Sequence, residues 1–313
     1  MQRGAGTSRV GWVLAACLVL AWWGRPTVAA GVPRALLERV VVIGASASDG
    51  WNVEFEVRSK DVRLSRPVTF REVLRAALPD EGVEVVEHAD FLFFRNPHHF
   101  GPAMVDAARA EQPSLVVAVD FLFWYAYGTV GPDGGRLASE EDRMKLLERG
   151  LAELDRLQVP LVVGDLPDMS GALEARVRML GAAQVPRPET LATLNARLRA
   201  WAADRPRVAV LSLSGLMAGA DATGDRRVGA HTWPVEAAAD FLQADDLHPT
   251  SDGLIAIAQL VEATMVEATD RWRDLGAATG PLVTMRTDRD AIRAVLTDQV
   301  LATAHGAGRV AAP

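Results

Sequence analysis

The chain has 313 residues, of which 49% are apolar and 23% charged, and its formal net charge is −7. The first 30 residues contain three arginines and no acidic residue, so residues 31–313 carry a net charge of −10. An acidic chain without a basic run is a poor partner for nucleic acid or an anionic membrane surface, and we expect neither. No internal repeat or low-complexity linker divides the chain, which predicts one large core.

The N-terminal segment, residues 1–30, has the form of a secretory signal peptide. Arg3 and Arg9 precede an apolar stretch over residues 10–23, and small residues at 28–30 offer a cleavage site. The stretch is shorter than the roughly 20 residues that a membrane-spanning helix needs. We therefore expect cleavage near Ala30, export to the periplasm or the exterior, and no stable membrane association afterwards.

The single cysteine, Cys17, ends the segment Leu14-Ala15-Ala16-Cys17, which is similar to a bacterial lipoprotein box. The apolar run continues past this cysteine, which disfavours lipidation and leaves a lipoprotein as the minor alternative. Cleavage after Ala30 removes Cys17. The mature chain is then expected to have no disulfide, no thiol nucleophile and no thiolate metal site.

Apolar strand-like runs alternate with amphipathic helical runs along the rest of the chain. Strands are predicted at residues 40–43, 83–86, 115–119, 159–163 and 208–213, and helices at residues 68–78, 139–157, 186–203 and 252–268. This alternation predicts a single-domain α/β fold over residues 31–268, with a mainly parallel sheet covered on both faces. Residues 269–313 are predicted as a helical C-terminal extension, disordered from residue 304.

A hydroxyl group follows the first predicted strand. The β-branched run at residues 40–43 stops at Gly44-Ala45-Ser46, which places Ser46 at the carboxyl end of a parallel strand. Open α/β sheets bind their ligands at that end. A Gly-x-Ser turn alone is a weak sign of a nucleophile, since small residues serve many tight strand-to-helix turns.

A carboxylate and an imidazole lie together near the other end of the chain. Asp245 precedes His248 by three residues, so a single turn can direct the carboxylate at one ring nitrogen and leave the other free. The neighbouring Asp246 is a rival for this role, but the spacing favours Asp245. With Ser46, these residues predict a nucleophile, a general base and an orienting carboxylate.

The two segments resemble the signature blocks of the SGNH (GDSL) serine esterases and acyl hydrolases. The family's nucleophile block reads Gly-Asp-Ser-Leu-Thr-x-Gly, and residues 44–50 read Gly-Ala-Ser-Ala-Ser-Asp-Gly; its closing block, Asp-x-x-His-Pro, is matched at residues 245–249. The resemblance spans residues 39–268. It implies a three-layer, flavodoxin-like α/β/α fold and cleavage of a small-molecule, glycan or lipid ester through an acyl-enzyme, without metal or organic cofactor.

The resemblance also implies three oxyanion donors, and here the sequence departs from the family. Ser46 supplies its own backbone N–H, and Gly101 is the best candidate for the backbone donor of the second block. The third block should contain an Asn after the strand at residues 115–119, but Asp120 follows instead. Asn96, in the neighbouring loop, is the candidate replacement, although an Asn before a proline is also an ordinary start of a turn.

Two aromatic runs, at residues 91–94 and 121–127, fall near the predicted site. Trp124, Tyr125 and Tyr127 carry polar atoms and are the members expected to line a substrate pocket. Core packing is the competing interpretation for these runs. The adjacent His98 and His99 are interpreted as surface loop residues rather than metal ligands.

Two other functions fit the same residues. An acyltransferase that uses a cell-surface glycan as acceptor needs the same three groups and differs in how well the site excludes water. A non-catalytic ligand-binding protein with a degraded oxyanion hole is the second alternative, kept open by the missing Asn. The sequence does not indicate the oligomeric state.

Overall fold

Strands and helices alternate along the part of the chain that the computed structural model describes, which is residues 31–59, 62–79, 82–218 and 224–308. The strands are β1 (Val32–Pro33), β2 (Arg39–Val42), β3 (Glu54–Ser59), β4 (Val62–Pro67), β5 (Glu84–Glu87), β6 (Leu115–Ala118), β7 (Leu161–Gly164), β8 (Val208–Leu211), β9 (Arg226–Val228), β10 (His231–Trp233) and β11 (Leu282–Val283). The helices are α1 (Ser46–Asp49), α2 (Phe70–Ala77), α3 (Pro97–Ala110), α4 (Phe123–Ala126), α5 (Glu140–Leu154), α6 (Pro188–Ala203), α7 (Leu213–Met217), α8 (Val235–Ala238), α9 (Ser251–Asp274) and α10 (Arg289–Gly308).

The central sheet has five strands in the order β5-β2-β6-β7-β8, and every neighbouring pair is parallel. These are the five strands that the sequence predicts, so the α/β class with a mainly parallel sheet is confirmed. The chain runs from β2 outward to β5 and then back past β2 to β6. Connections therefore leave the sheet in opposite directions at β2 and β6, and a crevice opens beyond their carboxyl ends.

Alternate residues of the strands feed two separate cores, one on each face of the sheet. Val40 and Val42 belong to the core formed with α2, α9 and α10, whereas Val41 and Ile43 belong to the core formed with α3, α5 and α6. Strands buried on both faces explain why these segments are continuous apolar runs. The three layers follow directly from this burial.

Several elements were not predicted, among them a hairpin and a helix. Residues 54–67 form the antiparallel hairpin β3–β4, in which Phe55 and Val57 are buried and Glu56 between them is exposed. Residues 97–110, predicted to begin as a loop, form helix α3, with Pro97 at its first turn. A proline is compatible with that position because the first N–H groups of a helix have no partner within the helix.

The C-terminal part packs against the domain that is predicted over residues 31–268. Helix α9 runs past residue 268 to Asp274, and Thr250 caps its first turn by accepting a hydrogen bond from the Gly253 N–H. Buried side chains of α10 (Ile292, Leu296 and Val300) join the core on the α9 face, and the described residues from 31 to 308 form one compact unit. Helix α10 also continues four residues past the predicted onset of disorder.

The predicted signal peptide, its cleavage site near Ala30 and Cys17 lie outside the described residues. Among the residues that are described, we find no helix with the length and apolar character that a membrane crossing requires.

Candidate active site

Ser46, His248 and Asp245 form a hydrogen-bonded series at the carboxyl end of β2. The Nε2 atom of His248 lies 3.0 Å from Ser46 Oγ, and Nδ1 lies 2.7 Å from Asp245 Oδ2. Asp245 and His248 are only 4% and 6% exposed, whereas Ser46 is half-buried at the first position of α1. The nucleophile, base and orienting group predicted from the sequence are therefore brought together at hydrogen-bonding distances.

The turn between the carboxylate and the imidazole explains why Asp245 rather than Asp246 faces the ring. Asp245 Oδ1 accepts the backbone N–H groups of Leu247 and His248, each at 3.0 Å, which leaves Oδ2 for the imidazole. Asp246 is exposed and has a φ of 50°, a conformation that Asp tolerates better than most residues.

The electrostatics of Asp245 favour the ionised form. Burial alone raises the pKa of this carboxyl, but hydrogen bonds from the His248 ring and from the His248 and Leu247 N–H groups outweigh it. The net result is a pKa below the usual range of Asp. A carboxylate held ionised next to Nδ1 keeps the proton on that nitrogen and leaves Nε2 as an acceptor facing Ser46.

Asp120, which stands where the family has an Asn block, supports the nucleophile loop from behind. Its carboxylate accepts the N–H groups of Ala45 (2.9 Å) and Ala47 (2.8 Å) and the hydroxyl of Ser48 (2.6 Å). Three donors account for the charge, so Asp120 does not face a developing oxyanion. The local sequence pattern around Asp120 does not indicate this role.

Gly44 allows the close approach of Asp120 to the loop. A Cβ atom at residue 44 lies 2.2 Å from Asp120 Oδ1 and 2.4 Å from Ser48 Oγ, both far inside van der Waals contact. The first Gly of the nucleophile block is therefore explained by the space that the carboxylate occupies.

Gln243 connects the loop that holds Ser46 with the loop that holds His248. Its Nε2 atom donates to the carbonyl oxygens of Trp51 (3.1 Å) and Pro249 (2.8 Å), and its Oε1 accepts from Asn52 Nδ2 (3.2 Å). This side chain thus adds three hydrogen bonds to the junction of the two loops. Nothing in the local sequence pattern distinguishes Gln243 from a surface glutamine.

Two cavities meet at Ser46 and His248. The inner cavity has a volume of about 80 Å³ and is walled by Phe123, Met169, Leu213, Leu216, Met217 and Ile257, among others. Two carboxylates also border it, but both are occupied: Asp120 binds the nucleophile loop, and Asp165 accepts from the Ser214 N–H, the Ser214 hydroxyl and Arg199. A ligand in the inner cavity therefore meets a mainly apolar surface.

The outer cavity has a volume of about 230 Å³ and also contains Ser46 and His248 in its wall; its other members are Trp51, Phe91, Phe94, Trp124, Met179, Gln184 and Leu247. Phe91, Phe94 and Met179 are 41–43% exposed and form its rim. The Trp51 ring packs on the His248 ring with 4.5 Å between centroids. A pair of rings in contact in this way restricts the orientation of the imidazole.

Neither Gly101 nor Asn96 lines the described cavities around Ser46. Gly101 lies inside α3 and packs against Tyr125, whose hydroxyl oxygen is 2.0 Å from the position of a Cβ at residue 101. Asn96 is exposed, and its carbonyl oxygen accepts the N–H groups of His99 and Phe100 at the start of α3. The loop that the sequence suggested for both residues is a helix start, and the turn interpretation of Asn96 fits this geometry.

The three predicted pocket aromatics have different surroundings. Trp124 lines the outer cavity, and its buried indole Nε1 has no hydrogen-bond partner among the described residues. The hydroxyl of Tyr125 donates to Pro97 O, and that of Tyr127 donates to Pro167 O and accepts from the Met169 N–H. Both tyrosines are 1% exposed. They pack in the core and support the site from behind.

The described residues contain no group of three or more His, Cys, Asp or Glu side chains arranged to hold a metal ion. His98 and His99 lie in the first turn of α3, where His98 Nε2 contacts the carbonyl oxygen of Gly131 at 3.0 Å.

Comparison with known proteins finds no matching family model and no matching curated protein. Several solved structures match. A GDSL-like lipase from Bacteroides thetaiotaomicron is 14% identical, with 74% of this chain and 89% of that chain covered and a TM-score of 0.44. TesA is 18% identical, with 76% and 99% covered and a TM-score of 0.37. A gut microbial diltiazem-metabolizing enzyme is 12% identical, with 72% and 46% covered and a TM-score of 0.44. At these values, the basis for a function is the sheet order and the side-chain geometry of this chain itself.

Proposed function

We propose that this chain is an exported serine hydrolase of the SGNH type that cleaves carboxylic esters. The observation that carries the proposal is the unbroken hydrogen-bonded series from Ser46 through His248 to Asp245, located at the switch point of a parallel sheet. A buried ionised carboxylate, an oriented imidazole and a half-buried hydroxyl beside two cavities are the groups that acyl transfer requires.

The reaction proceeds in two steps. His248 Nε2 takes the proton of Ser46 Oγ as this oxygen bonds to the acyl carbon, and the bond to the alcohol oxygen breaks as His248 returns the proton to it. Water then enters, and its oxygen bonds to the acyl carbon as His248 Nε2 takes its proton; the bond to Ser46 Oγ breaks as His248 returns that proton to Oγ, and the free acid leaves. Asp245 stabilises the imidazolium that forms in each step.

Charge on the tetrahedral intermediate requires hydrogen-bond donors. Asp120 accepts the N–H groups of Ala45 and Ala47, on either side of the nucleophile, and leaves the N–H of Ser46 between them as the first donor. The indole of Trp124 lines the cavity that contains Ser46, but its Nε1 atom is buried within the wall rather than open to the cavity. One oxyanion donor is typically worth about 10² to 10³ in rate.

Export is part of the proposal and depends on residues 1–30 alone. The form of this segment supports removal after Ala30. Intact-mass measurement of the protein recovered from the periplasm or the medium tests this step. Recovery of the full chain, or of a chain that carries lipid on Cys17, contradicts it.

Intact-mass labelling with a fluorophosphonate tests the catalytic assignment. A single adduct is expected on the wild type and none on Ser46→Ala or His248→Ala, because only an activated serine reacts at a useful rate. Ser170→Ala is the matched control: Ser170 is exposed and lines neither cavity, so its loss should leave the adduct in place. An unlabelled wild type, beside a control hydrolase that labels, contradicts the proposal.

A further inference from the structure

The two cavities differ in a way that assigns the two halves of an ester. Resting on the proposed function, we infer that the acyl group lies in the inner cavity and the alcohol in the outer one, and that the substrates are short-chain acyl esters of bulky apolar or aromatic alcohols.

The inner cavity limits the acyl chain by its size. Its volume of about 80 Å³ holds roughly six groups the size of a water molecule, at ~10–15 Å³ each. The side chains that close it are buried: Phe123, Met169, Leu213, Leu216 and Ile257 are all less than 10% exposed. A long acyl chain that extends toward these side chains therefore meets packed core rather than open space.

The outer cavity is larger and is open at an aromatic rim. Phe91, Phe94 and Met179 each expose more than 40% of their surface there, although large apolar side chains are normally covered. Exposed apolar groups that cluster at the mouth of a cavity mark a binding surface for an apolar ligand. The flat faces of Trp51 and Trp124 in the same wall suit a planar ring.

The order of bond breaking fixes the direction in which the ester binds. The alcohol leaves while the acyl group is still bonded to Ser46, and water must reach the acyl carbon from the side that the alcohol has vacated. The outer cavity, with its exposed rim, allows both the departure and the entry. The inner cavity keeps the acyl group in place through both steps, and His248 borders both cavities and serves both proton transfers.

Two series of esters test the inference on the mature protein, residues 31–313. Ethyl, benzyl and 2-naphthylmethyl acetates vary the alcohol at similar intrinsic reactivity, and benzyl acetate, butanoate, hexanoate and decanoate vary the acyl chain. We expect kcat/KM to rise about ten-fold or more from ethyl to naphthylmethyl, and to fall about ten-fold or more from hexanoate to decanoate, differences that apolar pockets commonly produce.

Two variants separate the cavities. Phe94→Ala, at the exposed rim, should remove the preference for naphthylmethyl and leave the acyl profile unchanged. Leu213→Ala, in the inner wall, should reduce the penalty on decanoate and leave the alcohol preference unchanged. Met217→Ala, at a half-buried position of the same inner wall, is the second variant in case Leu213→Ala destabilises the fold, and thermal unfolding of each is recorded.

The inference is overturned if long acyl chains on small alcohols are the best substrates, or if Phe94→Ala changes the acyl profile instead of the alcohol profile. Failure of the proposed function gives a different result. In that case the fluorophosphonate leaves the wild type unlabelled and no ester in either series is hydrolysed, whereas labelling of Ser46 with the opposite ester pattern rejects only the assignment of the two cavities.

Discussion

Asp120 and Asp245 are both buried carboxylates within reach of the serine loop, yet only one of them faces the imidazole. Asp120 accepts two backbone N–H groups and a serine hydroxyl and holds the loop in shape. Asp245 accepts two backbone N–H groups and the imidazole N–H. The difference lies in the third donor. A carboxylate that accepts a hydrogen bond from an imidazole can stabilise the imidazolium when the ring gains a proton. A carboxylate that accepts a hydrogen bond from a serine hydroxyl holds the loop conformation.

Asp245→Asn should give the largest effect. The amide cannot hold the proton on Nδ1 in the required tautomer, and exchanges of this kind in serine triads lower kcat by roughly 10⁴. The second-order rate of fluorophosphonate labelling measures it without a known substrate. Asp246→Asn is the matched control, one residue away and exposed, and should label at the wild-type rate. Equal loss in both variants contradicts the distinction between them.

Gly44→Ala should disturb the contacts of Asp120 with the serine loop and, through movement of that loop, the hydrogen bond between Ser46 and His248. The new methyl group overlaps Asp120 Oδ1 and Ser48 Oγ, so the loop must move. Overpacking of this kind typically costs about 1–3 kcal/mol, and Ser46 moves with the loop. The urea concentration at the midpoint of unfolding and the rate of fluorophosphonate labelling should both fall. Stability that falls while labelling stays at the wild-type rate indicates a nucleophile that does not depend on the loop for its position.

Asp120→Asn tests whether Asp120 contributes to stability rather than to the reaction of Ser46. The amide keeps one acceptor oxygen but presents an NH₂ group to a backbone N–H, and a buried donor left without an acceptor costs about 1–3 kcal/mol. We expect a lower urea midpoint with an unchanged m-value, and a labelling rate that falls far less than in Asp245→Asn. A loss of labelling as large as that of Asp245→Asn assigns Asp120 to the chemistry.

Tyr127→Phe should give the smallest effect, with a characteristic pH dependence. Burial raises the pKa of Tyr127 to about 12, above the value of ~10 in an unfolded chain. The stability that the neutral phenol contributes is therefore complete below pH ~10 and is lost as the pH rises through the folded value. The free energy of unfolding of the variant should be about 1 kcal/mol lower than that of the wild type near neutral pH. In alkali it should fall less steeply with pH than that of the wild type. If the free energy of unfolding falls equally steeply with rising pH in the variant and in the wild type, the raised pKa of Tyr127 is rejected as the cause of the alkaline loss of stability.

The sequence predicted what depends on local pattern. Apolar runs such as residues 40–43 located the five strands, and the spacing of Asp245 and His248 predicted their contact because only one turn separates them. Gly101 and Asn96 lie outside the walls of both cavities, because they were placed by alignment to a family loop and the segment forms a helix that begins at Pro97. The contact between Gln243 and Trp51 could not be predicted, since it joins residues 192 positions apart.

Tyr125 and Tyr127 illustrate the limit of composition as a guide. Their hydroxyls suggested a pocket, but each donates to a backbone carbonyl near the site. A buried phenol needs a partner, and in a dense core the nearest partner is the main chain. Trp124, in the same run, differs because its N–H found none among the described residues.

The contact between Ser46 and His248 spans 202 positions of the chain. A ribosome must therefore add about four fifths of the polypeptide before the serine and the imidazole can meet, and each shorter product of synthesis carries Ser46 without His248. A chain that stops before Asp245 has every strand of the central sheet but neither the carboxylate nor the imidazole. On the proposed function, such incomplete products are inert toward esters in the cell that produces them.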